Sequence, residues 1–389
     1  MQLRIRLFYV KIKMKIRLNK EGNFVSVNLI ESKSFKVIFT AFLAFLGGYA
    51  FDSLGIYLPW MLGPLFVVMI AKVKLRKYLY WSKTFRSTGL VILGLQLGSS
   101  FTKQSLNEMI EYLPVMLFTT IAIISFTVLT GWFVGKRMNL SLGTSMLGSF
   151  PGGLSQMVVL SEEMKDSDET VVGFMQTLRV ILVISIVPWI VTHVMSVESG
   201  AVIAVSERPF FLFEYDGKLA IMMLVTLLIF IFITKKANFP LPFLLGPLMA
   251  AALFNLAGPG APQIPDFWLN LSQLLIGAHL GYTLKVDNPR LFRKMFGAVF
   301  VSNVLLIGFC YYLSIQFAPI LSLQANELFL SMAPGGVAEM AVTAMSVHVD
   351  LSVVTSFHLF RILFILFFLS PIIKWLIGKN QGKQKQGQS

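Results

Sequence analysis

The residues with most to offer chemically stand in matched pairs. Glu339 lies three positions after the second glycine of Pro334-Gly335-Gly336, and Gln156 holds the same place after Pro151-Gly152-Gly153. A carboxyl inside an apolar segment is costly, so Glu339 is either a proton- or cation-coupling group or a protonated acid bonded to helix backbone. The Gln156/Glu339 difference implies that two related halves have specialised, one to bind and one to titrate. A second set is Gln176 with Arg179, matched by His358 with Arg361. A spacing of three puts the polar residue and the arginine on one helix face. Each arginine could bind an anion, or reach a membrane interface along its aliphatic stem. Gln96 and His279 make the third pair, framed by Gly94/Gly98 and Gly277/Gly281. Glycines at that spacing read as helix packing; the polar side chains face a pathway or bond across helices.

Other chemistries find no residues. There is no Walker loop, Gly-x-Ser-x-Gly elbow or Cys/His metal spacing. The 4 histidines are dispersed, which argues against copper or zinc. Cys310 is the single cysteine, so no disulfide forms within the chain and no thiol redox or metal site is expected. Neither catalysis nor a cofactor is expected. His193 and His348 sit near segment ends and read as interfacial, and Asn303 reads as an interhelical hydrogen bond.

The pairs share a spacing. Pro151 and Pro334 are 183 residues apart, and the same interval relates Leu58-Pro59-Trp60-Met61-Leu62-Gly63-Pro64-Leu65 to Leu241-Pro242-Phe243-Leu244-Leu245-Gly246-Pro247-Leu248. It also relates Gly94–Gly98 to Gly277–Gly281; the arginine pair is offset by 182. Several motifs at one period indicate an internal duplication. In each copy a Pro-Gly-Gly break interrupts an apolar segment. Proline removes a helical donor and glycine permits non-helical dihedrals, so the backbone there should be partly unwound. Freed N–H groups at a half-helix start suit an anion, and freed carbonyls at a half-helix end suit a cation. Proline and glycine also occur in ordinary membrane helices, but a break recurring at one register among polar residues favours function.

The chain that must position these residues has 389 residues, 56% hydrophobic and 13% charged, with mean hydropathy +0.73. Soluble domains carry about a quarter charged residues, so this composition predicts a polytopic membrane protein. The apolar runs are continuous rather than alternating, hence all-α. The first copy, residues 34–195, reads as segments Ser34–Ala50, Leu58–Ala71, Ser87–Phe101, Tyr112–Gly135, the break segment Ser141–Leu160, and Val171–Met195. A loop carrying Lys103, Glu108 and Glu111 is expected before the fourth. An acidic connector spans residues 196–216. The second copy, residues 217–377, repeats the series as Gly217–Thr234, Leu241–Ala257, Phe267–Leu284, Met295–Pro319, Ala325–His348 and Leu351–Trp375. A polar tail covers residues 378–389. Residues 1–33 read as a basic cytoplasmic tail without a cleaved leader, with Met14 as an alternative start.

Net charge is +14, with the cations between segments. That placement fits anionic lipid and membrane orientation, not nucleic acid. With all six segments of each copy crossing, Lys235-Lys236 and the Lys285–Lys294 loop would lie outside, against the positive-inside tendency. If each Pro-Gly-Gly segment is re-entrant, each copy crosses five times and the copies invert. Every basic loop and both termini then become cytoplasmic. The expectation is therefore two inverted repeats, ten crossings and two broken or re-entrant helices, the pattern of a secondary transporter whose site lies near the midplane.

The duplicated Leu-Pro-x-x-Leu-Gly-Pro-Leu at 58–65 and 241–248, with Pro-Gly-Gly at 151–153 and 334–336, resembles the AbrB-type integral membrane family. The resemblance runs from about residue 36 to 377 and implies an internally duplicated membrane unit, in a bacterium. Members are labelled as membrane regulators of gene expression or as ammonia monooxygenases. The second label would require metal ligands this sequence lacks. The pattern also looks like the cation–proton antiporter and bile-acid transporter group, by architecture alone. The expected function is transport of a small solute such as an organic anion across the cytoplasmic membrane, proton-coupled through Glu339. The alternative is a membrane-embedded sensor that regulates expression through a partner. The expected partners are membrane lipid, the small-molecule or ion substrate and a second copy in a homodimer, with no nucleic acid.

Overall fold

The computed structural model of the protein describes residues 32–151, 157, 161, 164, 166–195, 217–237, 239, 241–258, 260–261, 264–283, 289–365 and 368. Gly152, Gly153, Gln156, the connector, residues 1–31 and the C-terminal tail lie outside the described residues, whereas Ser32 and Lys33, expected in the N-terminal tail, cap and begin the first helix. Among the described residues are thirteen α-helices and no strand: α1 (Lys33–Ser53), α2 (Pro59–Leu75), α3 (Lys83–Ser99), α4 (Lys103–Met138), α5 (Leu142–Ser149), α6 (Glu169–His193), α7 (Gly217–Lys236), α8 (Pro242–Ala257), α9 (Asp266–Thr283), α10 (Pro289–Leu321), α11 (Ala325–Met332), α12 (Val337–Ser346) and α13 (Leu351–Phe364).

Five of them are long and apolar enough to cross a membrane: α1, α4, α6, α7 and the Arg293–Leu321 part of α10. Their outer faces are apolar. α7 buries only Met223 and Thr234 and exposes Ile221, Leu228 and Phe232 at 65%, 59% and 65%. A helix so apolar on its free face belongs against lipid. The stretch expected as a loop at Lys103 is instead the start of α4. Thr102 caps it and Ser105 completes a capping box, a local signal strong enough to begin the helix nine residues before Tyr112.

The period seen in the sequence recurs in the backbone. Helix starts at Pro59 and Pro242, Lys83 and Asp266, and Leu142 and Ala325 each differ by 183. So do unusual dihedrals. Leu58 and Leu241, each before a proline, take left-handed φ of 53° and 49°, and Asn139 and Ser322 both have φ 53°. A left-handed leucine costs about 1–2 kcal/mol, and the conformation is present at both copies' Leu-Pro step.

The chain divides into two compact units. One comprises Met1–Leu90 with Asp266–Leu284, the other Val91–Pro265 with Lys285–Ser389; α3 begins in the first and ends in the second. In the first unit α1 packs on α2 and α9 packs on α2. A Cβ at Gly277 or Gly281 of α9 would come under 3.0 Å from the carbonyl oxygens of Met61 and Leu65. Trp81 donates from Nε1 to the Leu275 carbonyl at 3.2 Å. In the second unit the matched contact is made with the copies exchanged. A Cβ at Gly94 or Gly98 of α3 would come under 3.0 Å from the Leu244 and Leu248 carbonyls of α8. The third helix of each copy thus packs on the second helix of the other, and glycine is what lets those backbones touch.

Candidate functional site

The second unit holds both helix breaks. In the first copy α5 is only eight residues, capped by Ser141 at its start. It stops at Ser149, after which Phe150 is extended at φ −60°, ψ 134°. In the second copy α11 stops at Met332, with Ala333 extended at φ −50°, ψ 142°, and α12 resumes from its N-cap Gly336. Each short helix leaves its last carbonyls without intrahelical donors, at the negative end of its dipole.

Those carbonyls are taken by α6 in the first copy and by α13 in the second. Gln176 of α6 donates from Nε2 to the Leu147 carbonyl at 2.6 Å and the Phe150 carbonyl at 3.1 Å. Arg179 donates from Nη1 to the Phe150 and Ser149 carbonyls, and from Nη2 to Gln176 Oε1 at 2.6 Å. The second copy repeats the arrangement on α13. Arg361 Nη1 donates to the Met332 and Ala333 carbonyls at 3.0 and 2.9 Å, and Nη2 donates to the Gly335 carbonyl at 3.0 Å. His358 bonds through Nε2 to the Leu330 carbonyl at 2.9 Å, and its Nδ1 lies 2.6 Å from Arg361 Nη2. Leu147 and Leu330, and Phe150 and Ala333, stand 183 apart.

A guanidinium has donors only, so Nδ1 of His358 must accept and Nε2 must carry the hydrogen. The imidazole is neutral. Gln176 and His358, unlike as residue types, therefore present the same pair: one acceptor to the arginine, one donor to the half-helix. Both are 0% exposed, and Arg179 and Arg361 are 4% and 3% exposed. Both arginines are buried within the protein and hold backbone carbonyls at the break.

Glu339 is at the third position of α12 and partly exposed. Its side chain folds back over exposed Gly336, where a Cβ would come under 3.0 Å from Oε2. A carboxylate there sits at the positive end of α12. Pro334 is buried and Gly335 half-buried. Pro151 is buried beyond the matching end of α5. A cavity of about 220 Å³ lies beside the start of α12, walled by apolar side chains including Leu245, Leu248, Val337, Leu359 and Ile362.

The remaining expected residues stand apart. Gln96 accepts through Oε1 from the Ile264 amide at 3.0 Å, within the second unit. His279 belongs to the first unit, 8% exposed, with no hydrogen-bond partner for Nδ1 among the described residues. Asn303 donates to the Val299 carbonyl of its own helix at 2.7 Å, rather than across helices. His193, at the end of α6, and His348 are exposed. Cys310 is buried, its thiol 3.4 Å from the Met332 carbonyl. Among the described residues no three His, Cys, Asp or Glu gather as metal ligands.

One residue was passed over. Glu327, on the first turn of α11, is 7% exposed, and its Oε1 has no hydrogen-bond partner. The signal was available: position 327 pairs with Thr144 at the 183 spacing. The same copy-to-copy comparison that singled out Glu339 singles it out too.

Comparison with known proteins places this architecture. Residues 60–377 match the AbrB family, described as "Transition state regulatory protein AbrB". "Uncharacterized protein YhjN" of Bacillus subtilis is 25% identical over 88% of this chain and 93% of its own. "Putative regulator AbrB" of Escherichia coli is 23% identical over 75% of this chain and 82% of its own. The chain belongs to the AbrB family.

Proposed function

We propose that this AbrB-family chain is a secondary transporter of a small solute, an organic anion in the simplest case, with proton coupling at Glu339. The observation that supports this reading is the matched pair of helix breaks, each held by a buried arginine. A buried charge at membrane depth is expensive, and soluble-like packing needs none. Here its effect is to keep two backbone breaks open at equivalent places, the device by which broken-helix transporters present polar backbone to a substrate.

In this reading the copies are inverted repeats, with ten crossings, two re-entrant segments and both termini on the cytoplasmic side of the cell membrane. The solute meets the backbone at Pro334–Gly336 and at Pro151, Gly152 and Gly153, with Gln156 and Glu339 as the polar residues three positions after each second glycine. Arg179 and Arg361 act through the carbonyls they hold, and Gln176 and His358 keep them in place. Gln96 and His279 offer further hydrogen bonds, each within its own unit. The partly exposed carboxyl of Glu339, lying over the exposed Gly336, is where a proton from water can reach the break. The neighbouring apolar cavity suits the carbon skeleton of a small solute.

The test is uptake into proteoliposomes holding purified protein, with an imposed pH gradient and a panel of radiolabelled small carboxylates. Gradient-driven uptake that becomes gradient-independent in Glu339→Gln is the expected result. Uptake equally pH-dependent in the variant removes Glu339 from coupling, and no uptake of any carboxylate removes the organic-anion reading. A second reading is favoured by the names of the family and of the Escherichia coli relative: a membrane-embedded regulator using the same break as a ligand pocket without turnover. It predicts a ligand that raises the melting temperature of the purified protein and never crosses the membrane.

A further inference from the structure

The two copies solve the start of the short helix differently. In the first, Thr144 is fully bonded: its hydroxyl accepts from the Asp168 amide at 2.8 Å and pairs with the Ser141 hydroxyl at 2.7 Å. Asp168 is the N-cap of α6, so this position lies against the start of the following helix. In the second copy the equivalent neighbour is Asp350, N-cap of α13, and the threonine is replaced by Glu327. Gln176 and His358 conserve donor and acceptor between copies. Thr144 and Glu327 do not.

Glu327 does have one structural use. As the third residue of α11 it takes the backbone amide of Gln324, in the manner of a capping glutamate. That uses one oxygen. The other, Oε1, is buried without a partner, and so is Nδ2 of neighbouring Asn326, which is 3% exposed. The charged groups that act on Glu327 are Asp350 on α13 and Glu108 on α4, both acidic. Glu111 acts with them on the nearby Tyr112 of α4. The cationic Arg361 of α13 is engaged farther along α11, at the Met332–Gly335 carbonyls. A buried carboxylate oxygen facing like charge is destabilised as an anion, and taking up a proton removes that charge.

We propose that Glu327 is a proton-binding site of the second copy, its unpartnered oxygen taking up and releasing one proton beside Asp350. Asp350 is only partly buried and gives the proton its way to solvent. α11, at eight residues, spans about 12 Å, too short to cross a bilayer, and Glu327 is on its first turn. Burial, then Asp350, push its acid–base midpoint up to about 8. The site is separate from Glu339 and does not rest on transport.

Infrared spectroscopy of purified protein in nanodiscs reads it directly through the carbonyl stretch of a protonated carboxyl. Wild type should show an acid band at neutral pH that fades as pH rises through about 8. Glu327→Gln, which retains an oxygen for the cap, should lack the band, and Glu339→Gln should keep it. Asp350→Asn should lower the midpoint by removing the adjacent negative charge. Glu327→Thr, the first copy's own residue, serves if the glutamine variant does not fold. Wild type carrying carbon-13 glutamate needs no substitution, since the band must then move with the label. A band unchanged in Glu327→Gln or Glu327→Thr, unmoved by glutamate labelling or insensitive to pH would overturn the proposal. Loss of the band on adding sodium at constant pH would also overturn it, assigning the carboxyl to a metal cation.

Discussion

Nη2 of Arg361 lies 2.6 Å from Nδ1 of His358, and that contact decides the state of the imidazole. With a donor-only guanidinium on one nitrogen and the Leu330 carbonyl on the other, the ring has a single hydrogen and no charge. A histidine at this position suggests pH sensing when read alone. Against Arg361 it is a rigid, neutral bridge between an arginine and a half-helix.

His358→Gln should therefore be tolerated, because Gln176 performs the same two bonds in the first copy. Thermal unfolding of the purified variant should stay within about 1 kcal/mol of wild type. His358→Leu leaves both the Leu330 carbonyl and one guanidinium donor unpaired. It should cost about 1–3 kcal/mol for each group. Equal losses in the two variants would show that the bridge is not what holds α11 to α13.

The exchanged glycine contacts predict a matched pair of failures. Gly277→Val should collide with the Met61 carbonyl, and Gly94→Val with the Leu244 carbonyl. Each should destabilise by about 1–3 kcal/mol, the range for overpacking. Gly308, on α10, is exposed with nothing within 4 Å of an added Cβ. Gly308→Ala should be neutral or gain up to about 1 kcal/mol. Melting temperatures of the three variants check the contrast; a tolerated valine at either contact would mean the helices can separate there at little cost.

Cysteine labelling in whole cells checks the topology, because buried Cys310 should contribute little background. Leu54→Cys, at a residue 71% exposed, should react with a membrane-impermeant maleimide in intact cells. Lys77→Cys and Lys236→Cys, both at exposed positions, should react only after permeabilisation. Labelling of Lys236→Cys in intact cells would place that loop outside, as twelve crossings with parallel copies require, and would sink the inverted-repeat reading.

The sequence by itself determined whatever is periodic or covalent. Composition specified a membrane chain, because lipid demands continuous apolar length. The spacing of 183 marked motifs and helix starts that recur at one interval, and Pro-Gly-Gly marked where a helix must lose its ladder, since that follows from the residues at the break. The three-residue spacing of Gln176 and Arg179, and of His358 and Arg361, placed each pair on one face. What those faces meet was decided by tertiary structure. The arginines read as anion binders or snorkelling cations until Phe150 and Ala333, about thirty residues earlier, came within reach. The exchange of α3 and α9 between copies depends on backbones meeting across more than a hundred residues. Glu327 gains meaning only once burial removes water from its second oxygen and supplies no partner. Local pattern says which groups a segment offers; packing of distant segments decides which of them water, backbone or a neighbouring charge will satisfy.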